Sequence, residues 1–399
     1  SDVCSSDLSD LVAYGVIILV IGFVLGMRSD SIIAGVGKAV GLRVETGTLD
    51  LSSVQETYQQ LKANYDGDVN AEELVYGASR GVVAAANDPH TVFMDPTEVA
   101  EFDKSMKGDI GGGVGAEIGM RSKHPTIIRL LDDSPAKDAG VKVDDIIVSV
   151  NEQSVSGLTV EQVVSKVRGE VGTEVKLGLV RGDEQKTISV TRRQVTAPTV
   201  EQEIIGKTGI LTVHMFNDDT GRLARAAAEQ FVAQGVDKVI LDLRGNGGGT
   251  VTAAQALAGL WLDNQPLMTE RRGGKIDKTI KTTGKPLLGD KKTIVLINGG
   301  SASASEIVAG ALSEYDKATL VGEKSYGKGS VQAMVQLSDG SMLKVTTARW
   351  YTPKGATIDG KGIDPSIEAK LTAEDFDAGR DPQLEKAKRS EEHTSELQS

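Results

Sequence analysis

The chain has 399 residues, of which 39% are hydrophobic and 46 are glycine, and a formal net charge of −12. That length leaves room for two or three packed domains, and the acidic balance speaks against a nucleic-acid partner. A single cysteine, Cys4, rules out a disulfide within the chain and any zinc site built on cysteines.

Both ends read as foreign. Residues 1–8 (SDVCSSDL) and 389–399 (RSEEHTSELQS) translate from opposite strands of one short DNA that resembles a sequencing adapter. They are expected to take no part in the fold. Residues 11–27 (LVAYGVIILVIGFVLGM) form an uncharged apolar run closed by Arg28. The run is at the short end of the ~17–25 residues that span a bilayer. No small-residue cleavage site follows it directly, so an uncleaved transmembrane anchor is favoured over a cleaved signal. A Gly/Ser/Thr-containing spacer leads to a helical region, residues 45–100. One helix carries Val54, Tyr58, Leu61 and Tyr65. A second follows the N-cap candidate Asn70 and carries Leu74, Val75, Ala78, Val82 and Val83. Asn87-Asp88-Pro89-His90 then makes a turn, in which His90 is read as structural.

Residues 105–195 read as a β-rich module. It opens on the glycine run from Gly111 to Gly115, which leads into a strand. Ser134-Pro135 starts a short helix that Gly140 closes. Thr159 and Gln162 form a capping box, and Val160, Val163, Val164 and Val167 make one apolar stripe behind it. Closing strands are expected over 175–180 and 187–190.

Residues 198–370 alternate strand and helix, which predicts an α/β domain. The strand 236–243 runs into Arg244-Gly245-Asn246-Gly247-Gly248-Gly249. A glycine run after a strand can aim N–H groups into a cleft, and this one lacks the GKS/T ending of a phosphate loop. His214, inside ILTVHMF, is read as a half-buried structural histidine. The strand 293–297 ends at Asn298-Gly299-Gly300, followed by Ser301, Ser303 and Ser305 and then a helical pattern. Strand, glycine turn, serine, helix exposes a nucleophile at a helix N-terminus, where N–H groups and the helix dipole favour developing negative charge. A serine needs a base. No histidine lies nearby in sequence, but Lys328 does, in Tyr326-Gly327-Lys328-Gly329, with Gln332 four residues further on. A lysine base must be neutral, and burial can lower its usual pKa of ~10.4 by several units.

GSASASEI with AGAL and GKGSVQ resembles the carboxyl-terminal processing, or tail-specific, proteases. The resemblance covers about residues 50–388. It implies Ser303 as nucleophile, Lys328 as general base and Gln332 as the group that orients the lysine. DLRGNGGG resembles the family's oxyanion loop, which implies Gly248 or Gly249 as one N–H donor and Ala304 as the other. The β-rich module resembles the PDZ domain inserted in these proteases, with Gly113, Val114, Gly115 and Ala116 as the loop that holds a peptide carboxylate. The family's helical N-terminal region, ending in a DPH-like turn, precedes that domain. Residues 371–388 look like the start of its final helix, cut off by the foreign tail.

The expected architecture is therefore an α/β protease core of crotonase- or ClpP-like βα alternation. It carries an inserted β-rich PDZ domain, an N-terminal helical region and a transmembrane helix. The expected function is cleavage of protein C-terminal tails by an exported serine endopeptidase with a Ser-Lys dyad. It would sit in a bacterial cell membrane through residues 11–27, with the catalytic part outside the cytoplasm. Substrates would be protein or peptide C-termini, and a homo-oligomer is compatible with this reading. No metal or cofactor is implied, since histidines are sparse and no metal-ligand spacing appears. Two rivals differ in class. A crotonase-like acyl-CoA enzyme would bind coenzyme A, and a PDZ scaffold with a dead core would not cut peptides.

Overall fold

The computed structural model describes residues 49–389. The apolar run 11–27 and both foreign segments, apart from Arg389, lie outside the described residues. Among the described residues no helix is long and apolar enough to cross a membrane. The described residues divide into two units at the boundary between Ala78 and Ser79. The helices Ser52–Asn64 and Ala71–Ala84 fall where the apolar spacing predicts them, and neither contains a buried residue. Asn70 Oδ1 accepts the Glu72 N–H at 3.0 Å, which fulfils its capping role.

The second unit is built on a six-stranded sheet. Its order is Val200–Ile205, Thr208–Val213, Lys238–Asp242, Lys292–Ile297, Thr319–Gly322, Ile367–Glu368. The first pair is antiparallel and the rest run parallel. Alternate side chains point to opposite faces of a strand. Leu211, Val239, Leu241, Val295 and Ile297 accordingly join the large core under the helices Thr220–Ala233, Val251–Ala258 and Ala304–Glu314. Ile210, Ile240, Ile294, Leu296 and Val321 face the other way, onto Leu384 and Ala387 of the last helix, Pro382–Arg389. That helix includes Arg389, the first residue of the segment read as foreign. Arg244 ties the chain just before it to the sheet. Its guanidinium is mostly buried and reaches Asp242 (2.6 Å), Asp381 (2.9 Å) and Gln383 (3.0 Å).

A second, antiparallel sheet has the order Val92–Met94, Met342–Tyr351, Pro266–Arg272, Lys275–Lys281, and Ser330–Gln336 also pairs with Met342–Tyr351. Val92–Met94 therefore belongs to a sheet whose other strands lie beyond the β-rich module. Pro96–Met106 is a helix that the sequence reading did not assign, although its start is marked. Asp95 caps it, Pro96 sits at the first turn, and Glu98 returns a hydrogen bond to the Asp95 N–H at 2.9 Å.

The β-rich module lies between that helix and the main sheet. Asp109–Gly113 pairs with Arg193–Thr196 and closes its entry and exit. Its own sheet runs Ala116–Arg121, His124–Leu130, Ile146–Val150, Glu174–Arg181, Glu184–Thr191. The helix Val160–Val167 begins at the expected capping box, with Thr159 N–H on Gln162 at 2.9 Å. Val163 and Val167 are buried in the module's core, while Val160 and Val164 are only partly covered. The stripe thus divides between core and surface.

Candidate active site

In a parallel sheet, ligands bind beyond the carboxyl ends of the strands. The candidate residues converge there. Thr208–Val213 leads to His214, Lys238–Asp242 to the glycine run, Lys292–Ile297 to the serines and Thr319–Gly322 to Lys328. They line one cleft of about 560 Å³. Its polar residues include Ser303, Lys328, Gln332 and Lys344, and Met106, Met215, Ile307 and Met334 are part of its apolar wall.

The three alternate serines have different settings. Ser301 is fully buried and donates to the Leu243 carbonyl at 2.8 Å, and Ser305, equally buried, donates to the Asn246 carbonyl at 2.8 Å. Both stitch the serine loop to the glycine loop. Ser303 is half-buried, lines the cleft and makes no side-chain to side-chain hydrogen bond among the described residues. It caps the Ala304–Glu314 helix at φ 55°, ψ −113°. For a residue with a Cβ this backbone costs about 1–3 kcal/mol, so the surroundings must hold it.

Glu306 does much of the holding, and sequence reasoning missed it. The side chain is fully buried and accepts four hydrogen bonds: Ser303 N–H at 2.8 Å, Ser325 Oγ–H at 2.6 Å, Gly327 N–H at 2.7 Å and Lys328 N–H at 2.9 Å. One carboxylate thus fixes the serine elbow and the lysine loop together. Its signal was the S-x-x-E spacing of a capping box. Trp350 Nε1 adds a bond to the Lys328 carbonyl at 2.9 Å, so the lysine backbone is held on both sides.

The Lys328 ammonium is about half-buried. Burial lowers its pKa below the usual lysine range, repulsion from Lys344 acts the same way, and Glu306 opposes both. Lys328 Nζ makes no hydrogen bond to Ser303 or Gln332 among the described residues. Gln332 Nε2 instead donates to Ser330 Oγ at 2.8 Å and to Thr346 Oγ1 at 3.3 Å. Thr346 N–H in turn donates to Thr91 Oγ1 at 3.1 Å, and Thr91 Oγ1 donates to Asp88 at 2.6 Å; the hydroxyls of Thr346 and Thr91 beside it hold the Asp88 carboxyl down to about 2. The turn before the β-rich module is thereby linked to the cleft. His90 donates its backbone N–H to Asp88 within that turn (3.2 Å). His214 lies in the cleft wall just past its strand, with Nε2 3.2 Å from Glu201.

The glycine loop closes the other side. A Cβ on Gly248 would lie 2.8 Å from the Ala302 carbonyl oxygen and from Ser303 Cβ, and 3.0 Å from the Ala304 nitrogen. Only glycine allows that approach, at φ 102°. The Gly248 N–H is donated to Asn246 Oδ1 at 2.8 Å. The N–H groups of Gly249 and Ala304 have no backbone acceptor among the described residues. Asn246 is a second residue that sequence reasoning missed. It is fully buried, its Nδ2 donates to the Val213 carbonyl (2.6 Å), and its own carbonyl accepts from Ala302 N–H (3.0 Å) and Ser305 Oγ.

A separate groove of about 280 Å³ lies on the β-rich module. Gly113, Val114, Gly115 and Ala116 line one end, with Val164 and Val167 on the helix side. The N–H groups of Val114 and Gly115 have no backbone acceptor among the described residues. Arg129, also on this groove, is ion-paired to Glu117 (3.0 Å) and to Glu201 of the main sheet.

Comparison with known proteins accounts for this layout. Residues 207–369 match peptidase family S41, residues 104–180 the PDZ domain, and residues 37–98 the N-terminal domain of the activating protease CtpB. A Staphylococcus epidermidis protein named "Probable CtpA-like serine protease" is 36% identical over 320 residues, 80% of this chain and 65% of that protein. The chain carries a peptidase family S41 domain and a PDZ domain, and it is similar to proteins named as CtpA-like serine proteases. A Staphylococcus aureus relative of the same name is 34% identical over 325 residues, 81% of this chain. The chain spans 65% of the length of these relatives. The solved photosystem II D1 C-terminal processing protease is 29% identical, with a TM-score of 0.51 over 81% of this chain and 87% of that one. An S41 structure from Bacteroides fragilis shares the fold at 18% identity, with a TM-score of 0.59 over 86% of this chain and 95% of that one. The S41 match places the core with peptidases rather than with acyl-CoA enzymes.

Proposed function

We propose that the chain is a serine endopeptidase that cuts protein C-terminal tails with a Ser303–Lys328 dyad. The observation that carries this is the convergence in one cleft of a strained serine at a helix N-terminus, N–H groups beside it, and a lysine whose setting favours the neutral amine. Ser303 Oγ attacks the scissile carbonyl carbon while its proton passes to Lys328 Nζ. The negative charge on the carbonyl oxygen is met by the Ala304 N–H and by one from Gly248 or Gly249. The C–N bond then breaks, and Lys328 returns the proton to the leaving amine. Water attacks the serine ester by the same route and releases the carboxylate.

Gln332 serves to orient the lysine. Its amide nitrogen is tied to Ser330 and Thr346, which leaves Oε1 to accept from Nζ. Catalytic hydrogen bonds often tighten only once substrate is bound. The PDZ groove would take the substrate's end, with its carboxylate on the N–H groups of Gly113–Ala116. Residues 11–27 would anchor the protein in a bacterial cell membrane, with the peptidase outside the cytoplasm.

The test is cleavage of an unstructured protein with an apolar C-terminus. Ser303→Ala and Lys328→Ala should each lower kcat by about 10⁴-fold or more, since groups acting as a unit fail together. Circular dichroism should show the fold retained. Lys328→Arg should be equally dead, because a guanidinium does not deprotonate. An active arginine variant would overturn the lysine base. Equal loss at Ser301, Ser303 and Ser305 would overturn the nucleophile.

A further inference from the structure

The cleft holds two lysines, and the proposed mechanism uses one. Lys344 lies on Met342–Tyr351, opposite Met334 of the neighbouring strand, and Thr346 lies opposite Gln332. Cross-strand partners and residues two apart share a sheet face. Lys344, Met334, Thr346 and Gln332 therefore project together, and Lys344, Met334 and Gln332 line the cleft with Lys328. Lys344 is half-buried, and no carboxylate is paired with it among the described residues. A half-buried cation without a counter-ion, in the cavity of a lysine that must work neutral, calls for a role.

Each other charge facing Lys328 is engaged or opposes neutrality. From the helix, Glu306 accepts the Lys328 N–H and would hold the side chain charged. Asp359 accepts the Gly329 N–H at 3.2 Å and is ion-paired to Arg349 at 3.1 Å. His214, across the cleft, is bridged to Glu201. Among the described residues, Lys344 is the cation on this cleft without a carboxylate partner, and it can offset Glu306.

We propose that Lys344 is a fixed cation that acts through Lys328, disfavouring its ammonium form so that the amine can take the Ser303 proton. This rests on the reading of Lys328 as the base. Like charges in a partly dry cavity repel, and the group better able to shed its proton becomes neutral. Burial disfavours the Lys328 ammonium as well, so Lys328 can shed its proton despite the opposing charge of Glu306.

The experiment is the pH dependence of kcat and kcat/KM for wild type, Lys344→Met, Lys344→Arg and Lys344→Glu. Activity rises with pH as Lys328 deprotonates. Removing the neighbouring cation raises the Lys328 pKa and moves the limb to higher pH. Lys344→Met should shift it upward by roughly half to one pH unit, the scale of a partly screened charge pair. Below the limb that is a loss of about 3- to 10-fold, and at high pH the rate should return to near the wild-type plateau. Lys344→Glu should shift it further, and Lys344→Arg should keep the wild-type limb. A Lys344→Met limb that coincides with wild type overturns the proposal. So does a uniform loss at every pH, or a rise in KM alone, which would make Lys344 a substrate contact. If the variants do not fold, the wild-type limb itself decides, since added salt should move it upward by screening the repulsion. A limb indifferent to salt then counts against the role. An active Lys328→Arg would instead sink the base reading, so the two failures are distinguishable.

Discussion

Two glycine loops face two cavities in this protein, and they are built differently. In the PDZ domain, Gly115 has φ 69°, and a Cβ there would meet Ser134 Cβ at 2.5 Å. The N–H groups of Val114 and Gly115 remain uncommitted to the backbone, so the loop offers a small nest to an anion. In the peptidase core, Gly248 is pressed against Ser303 and Ala304, while its N–H is committed to Asn246. One loop leaves N–H groups without a backbone acceptor among the described residues. The other is shaped to let two loops of the same chain touch. A glycine run therefore marks close approach, and what approaches is decided by hydrogen bonds elsewhere.

Among variants of these two loops, the largest expected effect breaks that contact in the core. Gly248→Val would drive its side chain into the Ala302 carbonyl and Ser303, and should lower kcat by about 10³-fold, the scale of a lost oxyanion donor. Gly247 is the control, since a Cβ there meets nothing within 4 Å. Gly247→Ala should stay within about 3-fold of wild type, as surface changes away from such contacts usually do. Steady-state kinetics on one unstructured substrate measure both. Equal losses at the two positions would mean that the loop tolerates no side chain anywhere, and the contact with Ser303 would lose its special place.

The next effect sharpens the comparison, because the core loops depend on a buried charge. Glu306→Gln keeps the shape but replaces one acceptor oxygen by a donor, facing groups that are themselves donors. Losing two charge-assisted bonds of ~1.5–3 kcal/mol each, partly recovered by relaxation, should lower kcat by on the order of 10²-fold with KM little changed. Because Glu306 favours the charged form of Lys328, its neutralisation should also move the pH limb downward. A variant with normal kcat and an unmoved limb would show that the carboxylate is dispensable.

These contrasts explain what could be read from the residues alone. The serine stretch, the Thr159–Gln162 cap and the strand-helix alternation were legible because each is local, a pattern within a few residues. The strand Val92–Met94 was not, because its partner lies at Met342–Lys344, across the whole PDZ domain and most of the core. Glu306 was hidden in the open. Its spacing from Ser303 marks an ordinary helix cap, and only the fold brings Ser325, Gly327 and Lys328 onto the same carboxylate. Val163 and Val164 are adjacent in one apolar stripe, yet one belongs to the PDZ core and the other to the groove, which periodicity does not separate.

The smallest effect tests the PDZ side of the comparison. If the uncommitted N–H groups of Val114 and Gly115 hold a terminal carboxylate, a substrate with a free C-terminus should be cut faster than its C-terminal amide. Amidation removes one charge and one acceptor and leaves the scissile bond alone. A charge-assisted hydrogen bond of ~1.5–3 kcal/mol predicts a difference on the order of 10-fold in kcat/KM at subsaturating substrate. Gly115→Val is a poor probe, since its clash with Ser134 would distort the loop whatever the loop binds. Val164→Glu is better. The side chain is only partly covered, it lines the groove, and a carboxylate there would repel an incoming carboxylate while leaving the Gly113–Ala116 backbone untouched. The variant should cut the amide as fast as wild type does and lose most of the preference for the free acid. Its melting temperature should fall only modestly, since Val163 and Val167 are the buried residues of that helix and Val164 is a partly covered residue at the edge of the core. A preference that survives Val164→Glu, or that is absent in wild type while Ser303 works normally, would mean that this groove does not read the end of the chain being cut.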